Sequence, residues 1–153
     1  MKRIFKKILI IGLVIFLLMQ LYQPARNKDD GVVLPSHITK LYLVPDSVQV
    51  IFAATCYDCH SNNTKYPWYS YIQPARFMME KHIINGKKDL NFSEFGNYSK
   101  RRQESKFESI IKQVRSGEMP LTSYTILHKN SRLTAAQKET IINWIDSIFK
   151  SND

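Results

Sequence analysis

The sequence predicts an all-α domain preceded by one apolar N-terminal helix. Three observations carry that prediction. Apolar residues recur at helical spacing in three separate stretches, over residues 48–56, 107–114 and 141–148. The second stretch is followed by Gly117, a helix terminator, and the third is preceded by Thr134 with Gln137 three residues on, a capping box. No strand pattern rises above short ambiguous patches, and there is no internal repeat or low-complexity segment.

The 153 residues suit one modest domain plus an appendage. With two cysteines, three positions apart, there is no disulfide framework. The net charge of +9 is uneven, because residues 1–26 hold five of the 22 basic residues and no acid. The remaining 17 cations face 13 acids and leave about +4. That mild excess calls for no nucleic acid, and no nucleic-acid-binding motif is present.

Residues 1–23 read as a targeting or anchoring segment. Lys2, Arg3, Lys6 and Lys7 precede an apolar run of 12 residues, Ile8 to Met19. A basic flank before an apolar core is the pattern of an export signal. Counting from Ile4 to Tyr22, with Lys6 and Lys7 snorkelling, gives 19 residues, close to the ~20 of a membrane span. Length alone therefore fits both a cleaved signal and a retained anchor. No pair of small residues follows the run and Tyr22 suits a membrane interface, so a retained anchor is expected, with the cations on the cytoplasmic side.

Residues 24–45, with Pro24, Asn27, Asp29, Asp30, Gly31 and Pro35, read as a linker into the domain, and His37 as an exposed side chain in it. The domain proper is expected over 46–150. Asp46 or Ser47 can cap a helix whose stripe, Val48, Phe52 and Cys56, carries it to about His60, with Ala53 and Ala54 small enough for another helix to approach. Ser61–Thr64 is turn chemistry. Tyr66-Pro67-Trp68-Tyr69-Ser70-Tyr71 makes a poor regular helix; it suits a loop wrapped over a flat apolar ligand and equally a loop packed on its own rings. Pro74 opens a helix over 75–85 that Gly86 would end, with Met78 and His82 one turn apart. Ser93 is expected to cap a short helical turn. Residues 100–116 present Phe107, Ile110, Ile111 and Val114 inward and cations outward. Residues 121–133 look irregular or briefly helical, and the last helix, about 135–149, carries Ile141, Ile145 and Ile148.

The chemistry lies in Cys56-Tyr57-Asp58-Cys59-His60, a C-x-x-C-H. On a helix, positions three and four apart share a face, so two thiols can bond the two vinyl groups of one porphyrin while His60 reaches its iron. A zinc site would need two further ligands, and no other cysteine exists. A redox dithiol needs no adjacent histidine and lacks the βαβ pattern expected around it.

With Cys56–Asn62, Tyr66–Ser70, Leu90–Ser93, Gly117–Leu121 and the last apolar helix, about residues 48–148 resemble the small bacterial haem-binding domain proteins, relatives of monohaem cytochromes c. The resemblance implies a small cytochrome c-like helical domain around one covalent haem c, the cysteine-bearing helix packing across the C-terminal helix. It also implies haem attachment outside the cytoplasm, hence a single-pass protein of the bacterial inner membrane with its domain on the periplasmic side. The aromatic loop and His128 depart from ordinary cytochromes c.

Cys56 and Cys59 are thus the expected covalent attachment points, His60 one axial ligand, and Tyr66 and Trp68 further haem contacts. Met119, in Gly117-Glu118-Met119-Pro120, is the expected second ligand, because a loop stiffened by proline can bring a thioether over a haem without distorting a helix. His82 is the rival and His128 a weaker one. His/Met ligation suits a one-electron carrier whose partners are other redox proteins, and not an enzyme. The alternative is a gas or peroxide sensor or enzyme with an open or weakly held sixth site.

Overall fold

The computed structural model describes residues 1–29 and 31–150, and among these there is no strand. Eight α-helices follow in order: α1 (Lys2–Met19), α2 (Ile38–Leu41), α3 (Asp46–Thr55), α4 (Tyr57–His60), α5 (Ala75–Asp89), α6 (Lys100–Ser116), α7 (Thr122–Leu127) and α8 (Ala135–Lys150). Tighter 3₁₀ turns lie at Trp68–Tyr71, Phe92–Asn97 and Lys129–Ser131. The all-helical reading holds.

The core forms where α3, α6 and α8 meet. Phe52, Phe92, Phe95 and Phe107 are fully buried, and burial of each such side chain contributes about 1.5–3 kcal/mol. Ile141, Ile145 and Ile148 of α8 and Phe107, Ile110 and Val114 of α6 fill the rest, as their spacing predicts. Phe52 of α3 meets Trp144 of α8 edge to face at 5.7 Å, so the helix leading to the cysteines does pack on the C-terminal helix. The Trp144 indole N–H donates to the Leu43 carbonyl at 3.0 Å, which satisfies its polar edge inside an apolar wall. Gly117 adopts φ +77° and ends α6, a conformation costly for other residues. At the start of α8 the Gln137 side chain accepts from the Thr134 N–H at 2.9 Å, and Thr134 Oγ1 accepts from the Gln137 N–H at 3.2 Å. That is the expected capping box.

Several boundaries differ from the sequence reading. The helix expected to run unbroken to His60 breaks at Cys56 (φ −118°, ψ −44°), so α3 and α4 are separate. Neither Asp46 nor Ser47 caps α3; Pro45 occupies that place. Ala53 and Ala54 are exposed, and what comes close is Ser131, whose hydroxyl donates to the Ala54 carbonyl at 2.6 Å. Helix α5 passes through Gly86 to Asp89. The turn after it is capped by Asn91, whose side-chain oxygen accepts from the Ser93 N–H at 3.1 Å, and not by Ser93.

Residues 24–45 are more than a passage. Ile38 and Val44 enter the core. His37 is half-buried and caps α2, with Nδ1 accepting from the Thr39 N–H at 3.2 Å. Burial lowers its pKa. Asn27 joins three elements: its amide donates to the Ser61 carbonyl (2.8 Å) and Thr64 Oγ1 (2.9 Å), and its Oδ1 accepts from Lys87 Nζ (2.6 Å).

Helix α1 forms as expected and is exposed along its length. No helix among the described residues is long and apolar enough to cross a membrane. The reason is the four cations in its first two turns. They leave Ile8–Met19, about 18 Å at 1.5 Å per residue, against a hydrocarbon core of about 30 Å.

Candidate haem site

The two cysteines and the histidine share one helical turn. The Cys56 carbonyl accepts from the Cys59 N–H at 3.2 Å and from the His60 N–H at 2.9 Å, so the backbone itself sets the spacing of the three side chains. The break at Cys56 separates this turn from α3, and α5 packs against it from the side. Contact there is close: a Cβ added to Gly86 would lie 2.6 Å from the Cys59 carbonyl oxygen. Gly86 is thus a close-approach residue within α5, not the end of the helix.

This closeness fixes the His60 ring. Its Nδ1 lies 2.9 Å from the Gly86 carbonyl and 3.0 Å from the Leu90 carbonyl. Carbonyl oxygens only accept, so Nδ1 carries the hydrogen and Nε2 the lone pair. An imidazole held by its far N–H is the arrangement found in metal-ligating histidines, where the outer partner sets ring orientation and raises ligand basicity. The phenyl ring of Phe92 meets His60 edge-on at 6.5 Å and Tyr57 at 5.5 Å, filling the space behind the turn.

The segment Leu90–Ser93 is the brace of this arrangement. Leu90 supplies a carbonyl to His60 and Phe92 the wall. The Ser93 hydroxyl accepts from the Asn62 N–H at 3.0 Å, and the Asn91 amide donates to Asn62 Oδ1 at 2.9 Å, pinning the chain just beyond the motif. Sequence reasoning missed this role, because its contact to His60 is the Leu90 backbone carbonyl, a group that any residue carries.

Both thiols are half-buried and unpaired with each other. Burial pushes Cys56 up to about 11, and burial together with the Asp58 charge pushes Cys59 up to about 11. A thiol–disulfide catalyst needs a depressed thiol pKa, so this environment opposes the dithiol reading. No group of three or more His, Cys, Asp or Glu side chains able to hold a metal ion occurs among the described residues. Two adjacent thiols and an imidazole with its Nε2 lone pair fit the haem of the resemblance: Cys56 and Cys59 would hold the porphyrin and His60 the iron.

The other expected contacts lie as follows. Met119 is half-buried in the loop after α6, with its N–H donated to the Gln113 carbonyl at 3.2 Å. The chain beyond it returns to the motif, where the Tyr124 hydroxyl of α7 donates to Asp58 Oδ2 at 2.7 Å. Burial and that carboxylate raise the Tyr124 pKa. His128 stacks on Tyr124 at 4.0 Å, and both its nitrogens are engaged. Nδ1 donates to the Tyr124 carbonyl at 3.0 Å, and Nε2 accepts from the Tyr69 hydroxyl at 3.1 Å. His128 therefore has no free lone pair for iron here. His82 is half-buried on α5, one turn before Gly86. Tyr66 turns its hydroxyl to the Asn27 N–H at 2.7 Å, and its pKa is pushed up to about 12, first by burial. Trp68 is 77% exposed. Of the aromatic loop it is Tyr69, unmarked in the sequence, that joins the Asp58–Tyr124–His128 cluster. The alternation of motif, aromatic loop and post-methionine loop could have suggested such a cluster, but nothing in the spacing pairs particular residues.

No curated protein and no solved structure matches the chain. Residues 14–147 match the haem-binding domain family, which covers α2 to α7 entirely and most of α8. With the C-x-x-C-H turn, its braced histidine and the Leu90–Ser93 brace all inside that span, the chain belongs to the haem-binding domain family.

Proposed function

We propose that this haem-binding protein is a membrane-tethered one-electron carrier, with one haem c joined to Cys56 and Cys59 and iron held between His60 and Met119. The observation that carries the proposal is the His60 ring, fixed by two backbone carbonyls with its Nε2 lone pair directed away from them. The haem supplies one-electron exchange when bound. The chain's own residues do the rest. His60 would hold the iron through Nε2, and its ring cannot rotate without losing both carbonyl contacts. Phe92 and Phe52 exclude water behind the turn. Met119 sits in a loop that Gly117 and Pro120 bracket, which suits a thioether ligand and a raised potential. With both His60 and Met119 holding the metal, substrate would find no place on it, which favours transfer over turnover.

Tethering rests on α1. Hydrogen bonds of the i to i−3 kind extend its turns through Gln20, Leu21 and Tyr22. Ile8–Met19 alone falls short of the hydrocarbon core, so the tether needs Lys6 and Lys7 to reach back to the headgroups, which lengthens the inserted segment to Ile4–Tyr22, about 28 Å. The cations would stay on the cytoplasmic side and the domain on the periplasmic face of the inner membrane, within reach of other redox proteins.

Carbon monoxide tests the carrier reading. The reduced full-length holoprotein is expected to bind it slowly and weakly, with low-spin spectra in both oxidation states. Rapid, tight binding to a high-spin ferrous protein would instead favour a gas- or peroxide-reactive site.

A further inference from the structure

We infer that the haem domain sits directly on the bilayer through an aromatic belt formed by Tyr22, Trp68, Tyr71 and Phe77, and does not swing on a tether. The inference rests on the tethered reading above and adds the domain face that meets lipid.

The first support is how α1 joins the domain. The Gln20 side-chain oxygen accepts from the Gln73 N–H at 2.9 Å, and the Gln73 amide donates to the Tyr22 carbonyl at 2.7 Å. Gln73 is itself buried. Arg76, also buried, donates from Nη2 to the Pro24 carbonyl. The Asn27 contacts to Ser61, Thr64 and Lys87 follow within three residues. The chain is therefore fastened to the domain from the last turn of the apolar helix onward, and no free length remains for a tether.

The second support is what surrounds that junction. Tyr22 meets Phe77 edge-on at 6.2 Å, and both rings are about half exposed. Trp68 and Tyr71 stand at i and i+3 of one 3₁₀ turn, where side chains eclipse, so they share a side. Arg26 lies over the Tyr71 ring at 3.9 Å and links that turn to the fastened segment. Leu21 and Ile72, next in sequence to Tyr22 and Tyr71, are exposed as well. Contiguous exposed apolar surface on a folded chain marks an interaction site.

The occupant follows from place and composition. Tyr and Trp are enriched at membrane–water interfaces, where the ring is apolar and its polar edge stays wet. Arg26, over the Tyr71 ring, and Lys28, by the neighbouring Tyr66 ring, suit lipid phosphates. A bilayer holding that helix meets this surface without further movement.

The test uses full-length holoprotein in phosphatidylethanolamine–phosphatidylglycerol vesicles with a lipid bearing a diazirine in the upper acyl chain. After illumination, lipid adducts are mapped by mass spectrometry. Adducts are expected within residues 8–22 and also at Trp68, Tyr71 or Phe77, and absent at Leu43 and Val50, which are 94% and 69% exposed. Adducts in 8–22 but none over 68–77 would overturn the seating while leaving the tether intact. Equal labelling at Leu43 and Val50 would also overturn it, as non-specific adsorption. No adducts anywhere would remove tether and seating together.

Discussion

Replacing Met119 by alanine is expected to abolish the weak sulfur-to-iron charge-transfer band in the far red of the oxidised protein, and to lower the reduction potential. The fall would be on the order of 100 mV, within the ~0.8 V that axial ligands command. Thioether ligation stabilises the ferrous state, so its loss moves the potential down. Alanine keeps the loop's backbone, and the Met119 N–H contact to the Gln113 carbonyl and the Tyr124–Asp58 bond do not involve the thioether. The fold should therefore survive, and the spectrum report ligation alone. His128 cannot substitute without giving up the Tyr69 and Tyr124 contacts that use both its nitrogens. An unchanged spectrum and potential would make His82 the leading ligand.

Gly86→Ala is expected to destabilise the protein by about 1–2 kcal/mol and to loosen the haem site. Two effects oppose each other. Alanine in a helix interior is favoured over glycine by up to ~1 kcal/mol. Against that, the new Cβ would press to 2.6 Å from the Cys59 carbonyl oxygen, a backbone atom that cannot turn aside. Overpacking of this kind costs about 1–3 kcal/mol, so the clash outweighs the propensity. Parting α5 from α4 also pulls the Gly86 carbonyl away from His60 Nδ1. Denaturant unfolding of the holoprotein measures the first effect, and a shift in potential or spin state the second. A variant as stable as the parent, with an unshifted spectrum, would contradict this role for Gly86.

What could be read from the sequence was what short-range chemistry decides. The stripes of α6 and α8, the end at Gly117, the Thr134–Gln137 box and the C-x-x-C-H turn all express contacts between residues a few positions apart. What escaped depends on distant chain segments. Gly86 has two uses, ending a helix or admitting a neighbour, and only the packing of α4 on α5 selects the second. The break at Cys56 lies inside an apolar stripe that reads as continuous, because spacing reports which face is apolar and not whether the backbone bonds persist. Asn27 and His37 lie among turn-forming residues and read as linker, yet one joins three elements and the other caps α2. Leu90 acts on His60 through its carbonyl, which carries no side-chain signature. Tyr124 and Asp58 are 66 positions apart, a pairing that spacing along one chain cannot propose.

Whether the chain carries haem through two thioether bonds is decided by denaturing the full-length protein, made with haem c maturation machinery, and extracting it with acidified organic solvent. The expected result is one haem retained per chain, no titratable thiol at Cys56 or Cys59, and a pyridine haemochrome of a porphyrin with both vinyl groups saturated. A haem that leaves with the solvent, or a colourless chain with both thiols free, would contradict it.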